Sequence, residues 1–177
     1  FMGELLRVPE VIEKVLGTKE EIHRLAGCII NARDVFMIGR GLDYSILLEG
    51  SLKLKEVSYI HSEAYASGEL KHGTIALITE DTPVIAVVTQ EKLKSKELSN
   101  IREVQSRGAR VVLLIKEGET LNEGRQWSCV YRLPVMEDPF MVMPASVVLQ
   151  LIAYYVSLDK GLDVDKPRNL AKVVTVE

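Results

Sequence analysis

Glu49, Lys53 and Glu56 stand at i, i+4 and i+7, so on a helix their side chains share a sector of roughly 60°. A carboxylate with a lysine one turn away, set between apolar walls, can take and return a proton, because burial and the neighbouring charge tune its proton affinity. The walls are Ile46, Leu47, Leu54 and Val57 on one flank and Leu48, Leu52 and Tyr59 on the other, which predicts a helix covered on both sides of a charged strip. A surface ladder of ion pairs would show the same spacing. Two more residues could do chemistry. His72 lies in the polar segment Gly68-Glu-Leu-Lys-His72-Gly73, where a solvated imidazole is the plainer alternative. Lys172 lies near the terminus with apolar residues on both sides, and an amine in such company can lose its proton and act as a nucleophile. A solvated tail lysine is the plainer reading there. His23 and His61 have no comparable setting.

The elements that must position these groups follow from the apolar pattern. Val35–Ile38, Val84–Val88, Arg110–Ile115 and Cys129–Leu133 are short, nearly continuous apolar runs, as in strands covered on both faces. Ile75–Ile78 is either a fifth strand or a helical turn. Helical stretches cover Tyr44–Ile60, Leu93–Arg107 and Pro139–Lys160, the last two stopped by Gly108 and Gly161. Residues 8–31 read as one or two amphipathic helices broken at Gly17-Thr18, with Thr18 as N-cap. Strand and helix alternating at this spacing predict an α/β fold with a doubly wound, mainly parallel sheet of four or five strands.

Gly39-Arg40-Gly41 ends the first strand and opens the helix that carries the strip. It is no dinucleotide fingerprint, since Tyr44 holds the third glycine position and no acidic residue follows a second strand at the required distance. What remains is a loop of backbone N–H groups at a helix N-terminus, expected to favour anions and small polar ligands.

The 177 residues suit one domain, and 47% apolar content supplies its core. A net charge of −3 with no basic patch argues against nucleic acid. The apolar runs read as shorter than the roughly 20 residues that span a bilayer, which predicts a soluble, cytoplasmic protein without a membrane partner. Cys28 and Cys129 are a hundred residues apart without a zinc or redox spacing, and read as buried free thiols. The opening Phe1-Met2 suggests a tag remnant or a piece of a longer chain.

The stretches EGSLKLKEVSYIHSEAYASGELKHG, PVIAVV, IREVQSRGARV and KGLDVDKPRNLAKVVTVE closely resemble the isomerase region of glutamine–fructose-6-phosphate aminotransferases, the glucosamine-6-phosphate synthases. They cover most of residues 34–177. Thr74 departs from the pattern, as many members carry proline there.

The resemblance implies the second of two tandem sugar isomerase (SIS) domains, each a three-layer flavodoxin-like fold. Residues 1–31 would be the helical connection, 32–162 the domain, and 163–177 a tail that completes the site. The first SIS half and the glutaminase domain would be partners, in a homodimer acting on a sugar phosphate. It further implies that Glu56 moves a proton between C1 and C2 of the open-chain sugar with the help of Lys53, and that His72 opens the ring, reaching a neighbouring subunit's site. Lys172 would engage the ketose carbonyl, with the backbone of Ala171 nearby. No metal or organic cofactor is implied. A regulatory SIS module that binds sugar phosphate without chemistry is the alternative.

Overall fold

The computed structural model describes residues 1–121, 127 and 129–170. Two helices, α1 (Met2–Gly17) and α2 (Lys19–Gly27), precede five strands: β1 (Asp34–Gly39), β2 (His61–Ala66), β3 (Pro83–Val88), β4 (Arg110–Lys116) and β5 (Cys129–Leu133). The strands form one parallel sheet in the order β2-β1-β3-β4-β5, the flavodoxin-like order. Helices α3 (Leu42–Ser58), α4 (Lys94–Gln105) and α5 (Val142–Asp159) complete three layers.

Side chains alternate across the sheet, so each strand feeds two cores. Val35, Met37, Ile85, Val87, Val112 and Leu114 pack toward α1, α2, α3 and α5. Phe36, Ile38, Val84, Ala86, Val111 and Leu113 pack toward α4, where Ile101 and Val104 meet them. This double coverage explains why β1, β3 and β4 read as nearly unbroken apolar runs.

The fifth strand differs from its sequence reading. Ile75–Ile78 is largely a 3-10 turn, Thr74–Leu77, and the strand is β2, His61–Ala66. As an edge strand it is only partly covered, so its residues are mostly polar or small. Ser51 of α3 fastens it, donating from its hydroxyl to the Ser62 carbonyl at 2.9 Å while the Ser62 hydroxyl donates back to the Ser51 carbonyl at 2.9 Å. Thr18 stands at the start of α2 without a side-chain capping bond. Its hydroxyl donates to the Val15 carbonyl and pairs with the Tyr131 hydroxyl instead.

Two further expectations are corrected. The cysteines are a disulfide, Cys28–Cys129, and both are half-buried rather than buried. The end of α2 lies beside the start of β5, so sequence separation concealed the pairing. The segment Asp138–Asp159 is long and apolar enough to cross a membrane by length and composition. Half of its apolar window is buried inside the fold, where Ala145, Val148, Leu149, Ile152 and Val156 pack into the core beneath α3.

Candidate active site on helix α3

Helix α3 begins at the glycine turn. Gly41 takes φ +57° as its N-cap, a left-handed conformation that glycine adopts without steric cost. A Cβ on Gly39 would sit 2.9 Å from the backbone of Asp43 and Tyr44, so only glycine lets the chain turn so tightly from strand to helix.

An acid lies beside this turn. Asp43 is buried there, accepting from the Thr89 backbone N–H at 2.8 Å and from the Thr89 hydroxyl. Burial pushes its carboxyl above the usual range, and the hydrogen bonds from Thr89 oppose that shift. Asp43 thus places an acid in the first turn of α3, turned toward Thr89 rather than capping the helix.

Further along α3, the strip forms as its spacing predicts. Lys53 Nζ donates to Glu56 Oε2 at 2.8 Å and lies 3.6 Å from Glu49 Oε1. The hydrogen bond to Glu56 raises the Lys53 pKa, with the Glu56 and Glu49 charges adding to it against partial desolvation. Lys53 is therefore held as an ammonium ion.

The flanks of the strip differ from expectation. Ile46, Leu47 and Leu54 are buried and Val57 is half-buried, but Leu48 is 48% and Leu52 44% exposed. One wall of the strip is core; the other is an apolar ridge open to its surroundings. Met143, Tyr154 and Leu158 of α5 are exposed as well.

Helix α3 ends at Tyr59, which takes φ 61° and donates its backbone N–H to the Lys55 carbonyl. A tyrosine in left-handed conformation is uncommon, and here its ring receives the tail. The Arg168 N–H donates to the Tyr59 hydroxyl at 2.8 Å, and the Arg168 guanidinium stacks 4.1 Å above the ring. The tail thus reaches the end of α3, three residues beyond Glu56. Ala171 and Lys172 lie outside the described residues.

His72 ends a 3-10 turn, Leu70–His72. Its side chain is 75% exposed, with Nε2 3.9 Å from Glu69 Oε2. Among the described residues no hydrogen bond or ion pair joins it to Lys53 or Glu56. Two cavities of about 600 and 530 Å³ lie elsewhere, one between α1 and β5 and one at the amino ends of the strands. Lys53 and Glu56 are instead half-buried, and among the described residues the Leu48–Leu52 side of the strip stays exposed.

One polar cluster has no counterpart in the sequence reading. Arg40, Ser67, Glu97 and Asn100 meet at the carboxyl ends of β1 and β2. Its signal is that Glu97 and Asn100 share the buried register of α4 with Ile101 and Val104. A carboxylate on a helix's apolar stripe is out of place unless something pairs with it.

The SIS domain family model matches residues 28–159. The chain is 52% identical over its whole length to the glutamine–fructose-6-phosphate aminotransferase [isomerizing] of Caldanaerobacter subterraneus, of which it covers 29%. It is 51% identical over 99% of its length to the Clostridium acetobutylicum protein of the same name, again covering 29%. The C-terminal domain of glucosamine-fructose-6-phosphate aminotransferase from Francisella tularensis superposes with a TM-score of 0.87 and 38% identity, over 93% of this chain and 46% of that one. The chain therefore spans less than a third of the curated relatives it matches. It belongs to the SIS domain family and corresponds, within that family, to the C-terminal region of the glutamine–fructose-6-phosphate aminotransferases.

Proposed function

We propose that this chain is the second sugar-isomerase half of an enzyme that makes glucosamine-6-phosphate from fructose-6-phosphate and glutamine-derived ammonia. The observation that carries the reading is the Lys53–Glu56 pair at 2.8 Å on α3, in a chain 52% identical throughout to a named isomerising aminotransferase.

Ammonia condenses with the C2 carbonyl of the open-chain ketose, releasing water. Glu56 takes a proton from C1; the C–H electrons form a C1–C2 double bond while the C2=N electrons move onto nitrogen, which takes up a proton to give the enamine. Glu56 then returns its proton to C2 as the C1 hydroxyl loses its own, which replaces the proton taken up by nitrogen, leaving the C1 aldehyde and the C2 amine. Lys53, kept charged by its bond to Glu56, acts as a fixed positive charge that orients the carboxylate and offsets negative charge developing on the sugar. This refines the proton-relay role, since a raised pKa disfavours release of the lysine's own proton. His72 opens the sugar ring from a neighbouring subunit, in keeping with its exposure. Lys172 engages the carbonyl, with Ala171 beside the sugar, from a tail whose approach to Tyr59 supports that placement.

The open wall at Leu48 and Leu52 is completed by the first half or by a second copy of the enzyme. Asp43 at the α3 N-terminus makes this half a poor phosphate cradle, so the phosphate is held by the first half. The chain alone is expected to show no robust turnover of fructose-6-phosphate, and to turn over when joined to the rest of the enzyme. Steady-state assays of the two proteins decide this. Full turnover by the chain alone would contradict the division of labour, and a joined protein that binds sugar phosphate without turnover would favour the regulatory module.

A further inference from the structure

The segment that carries His72 is fastened from several sides. The Ser67 N–H donates to the Gly39 carbonyl at 3.0 Å, and Leu70 is buried in the core beside α4. Lys71 Nζ pairs with Glu103 Oε2 of α4 at 2.9 Å. A Cβ on Gly68 would sit 2.7 Å from Arg40 Nη2, so the guanidinium abuts the turn closely enough that only glycine leaves room for it.

Behind that turn the polar cluster closes into a chain of hydrogen bonds. With its amide oriented by its neighbours, Asn100 Oδ1 accepts from Arg40 Nη2 at 2.8 Å, from Arg40 Nε at 3.2 Å and from Ser67 Oγ at 2.8 Å. The Ser67 hydroxyl also meets Glu97 Oε2 within hydrogen-bond distance. A hydroxyl has a single proton to give. When Ser67 gives it to Asn100, Glu97 must be the donor to Ser67, as a neutral acid. Glu97 is 2% exposed, and among the described residues its Oε1 has no partner. Arg40 Nε lies 3.8 Å from Oε2, and Asp43 adds a like charge nearby. Burial, with the Asp43 charge adding, pushes the Glu97 carboxyl up to about 7 against the opposing pull of Ser67 and Arg40.

We propose that Arg40, Ser67, Glu97 and Asn100 are positioning residues that fix the Ser67–His72 segment, and so set the reach of His72 toward the sugar ring. This rests on the ring-opening reading of His72. None of the four need touch substrate. A displacement of about 1 Å in an acid–base group can cost on the order of 10²-fold in rate, which is the scale of effect expected.

The test uses the full-length enzyme and two substrates: fructose-6-phosphate, which closes to a furanose through its 5-hydroxyl, and its 5-deoxy analogue, which cannot close. Ser67→Ala and Glu97→Leu are expected to lower kcat on fructose-6-phosphate by about 10- to 100-fold, with KM little changed. Both variants should turn over the open-chain analogue at the wild-type rate, which also reports that they are folded. Glu97→Gln should retain activity on both substrates, since its amide can still donate to Ser67. Equal loss on both substrates, or loss on neither, overturns the proposal. His72→Ala serves as the reference. If it spares fructose-6-phosphate turnover, the ring-opening reading itself is wrong and the proposal falls with it.

Discussion

Glu56→Gln in the full-length enzyme is expected to lower kcat for glucosamine-6-phosphate formation by about 10²–10⁴-fold, with the affinity for fructose-6-phosphate nearly unchanged. Glutamine keeps the size of the side chain and can still accept from Lys53, so the helix face and its apolar wall remain. What it cannot do is accept a proton from C1. A residue needed only for proton transfer should cost kcat and kcat/KM alike. Steady-state kinetics and calorimetric titration with the sugar phosphate separate the two quantities. If turnover survives the substitution, Glu56 is not the base, and the Lys53–Glu56 pair is the surface ladder that its spacing also allows.

The second large effect concerns stability. The Glu97 carboxyl is raised from its ordinary 4.5 to about 7 in the folded protein. Between those values the folded chain holds a proton that the unfolded chain has released, so the folded state is favoured at the acidic end. Stability from this group is fully present below about 4.5 and is lost as pH rises through about 7. The interval corresponds to roughly 3 kcal/mol. Glu97→Gln removes the titration. The difference in unfolding free energy between variant and wild type, from denaturant titrations at pH 5 and pH 8, should therefore shift toward the variant by up to that amount. Asp43 is also raised, chiefly by burial, and its own desolvation is common to both proteins, so that part cancels. A difference that does not move with pH would show that Glu97 is ionised throughout, with Arg40 as its counter-ion.

Much of this molecule was legible from its pattern, and the exceptions have physical causes. Strands β1, β3 and β4 announced themselves because helices cover both faces of the sheet there, and β5, the other edge, because Val130, Tyr131 and Leu133 keep it apolar. Strand β2 did not, because an edge strand of polar and small residues carries no apolar run. The strip on α3 was readable since helical periodicity alone brings Lys53 to Glu56. Exposure of Leu48 and Leu52 was not, because periodicity tells which residues share a face but not what covers that face. Contacts between distant segments were equally hidden: the Cys28–Cys129 disulfide, Arg168 on Tyr59, and Asp43 beneath the glycine turn. Glu97 could have been found, as its place on the buried register of α4 breaks the amphipathic rule.

A crystal structure of the full-length enzyme with bound open-chain sugar phosphate would test the central claim most directly, through the distance from the Glu56 carboxylate to C1 and C2. The account requires an oxygen of Glu56 within about 3.5 Å of both carbons, with Lys53 still on its far side. Another base at that position, with Glu56 turned away into solvent, would contradict it.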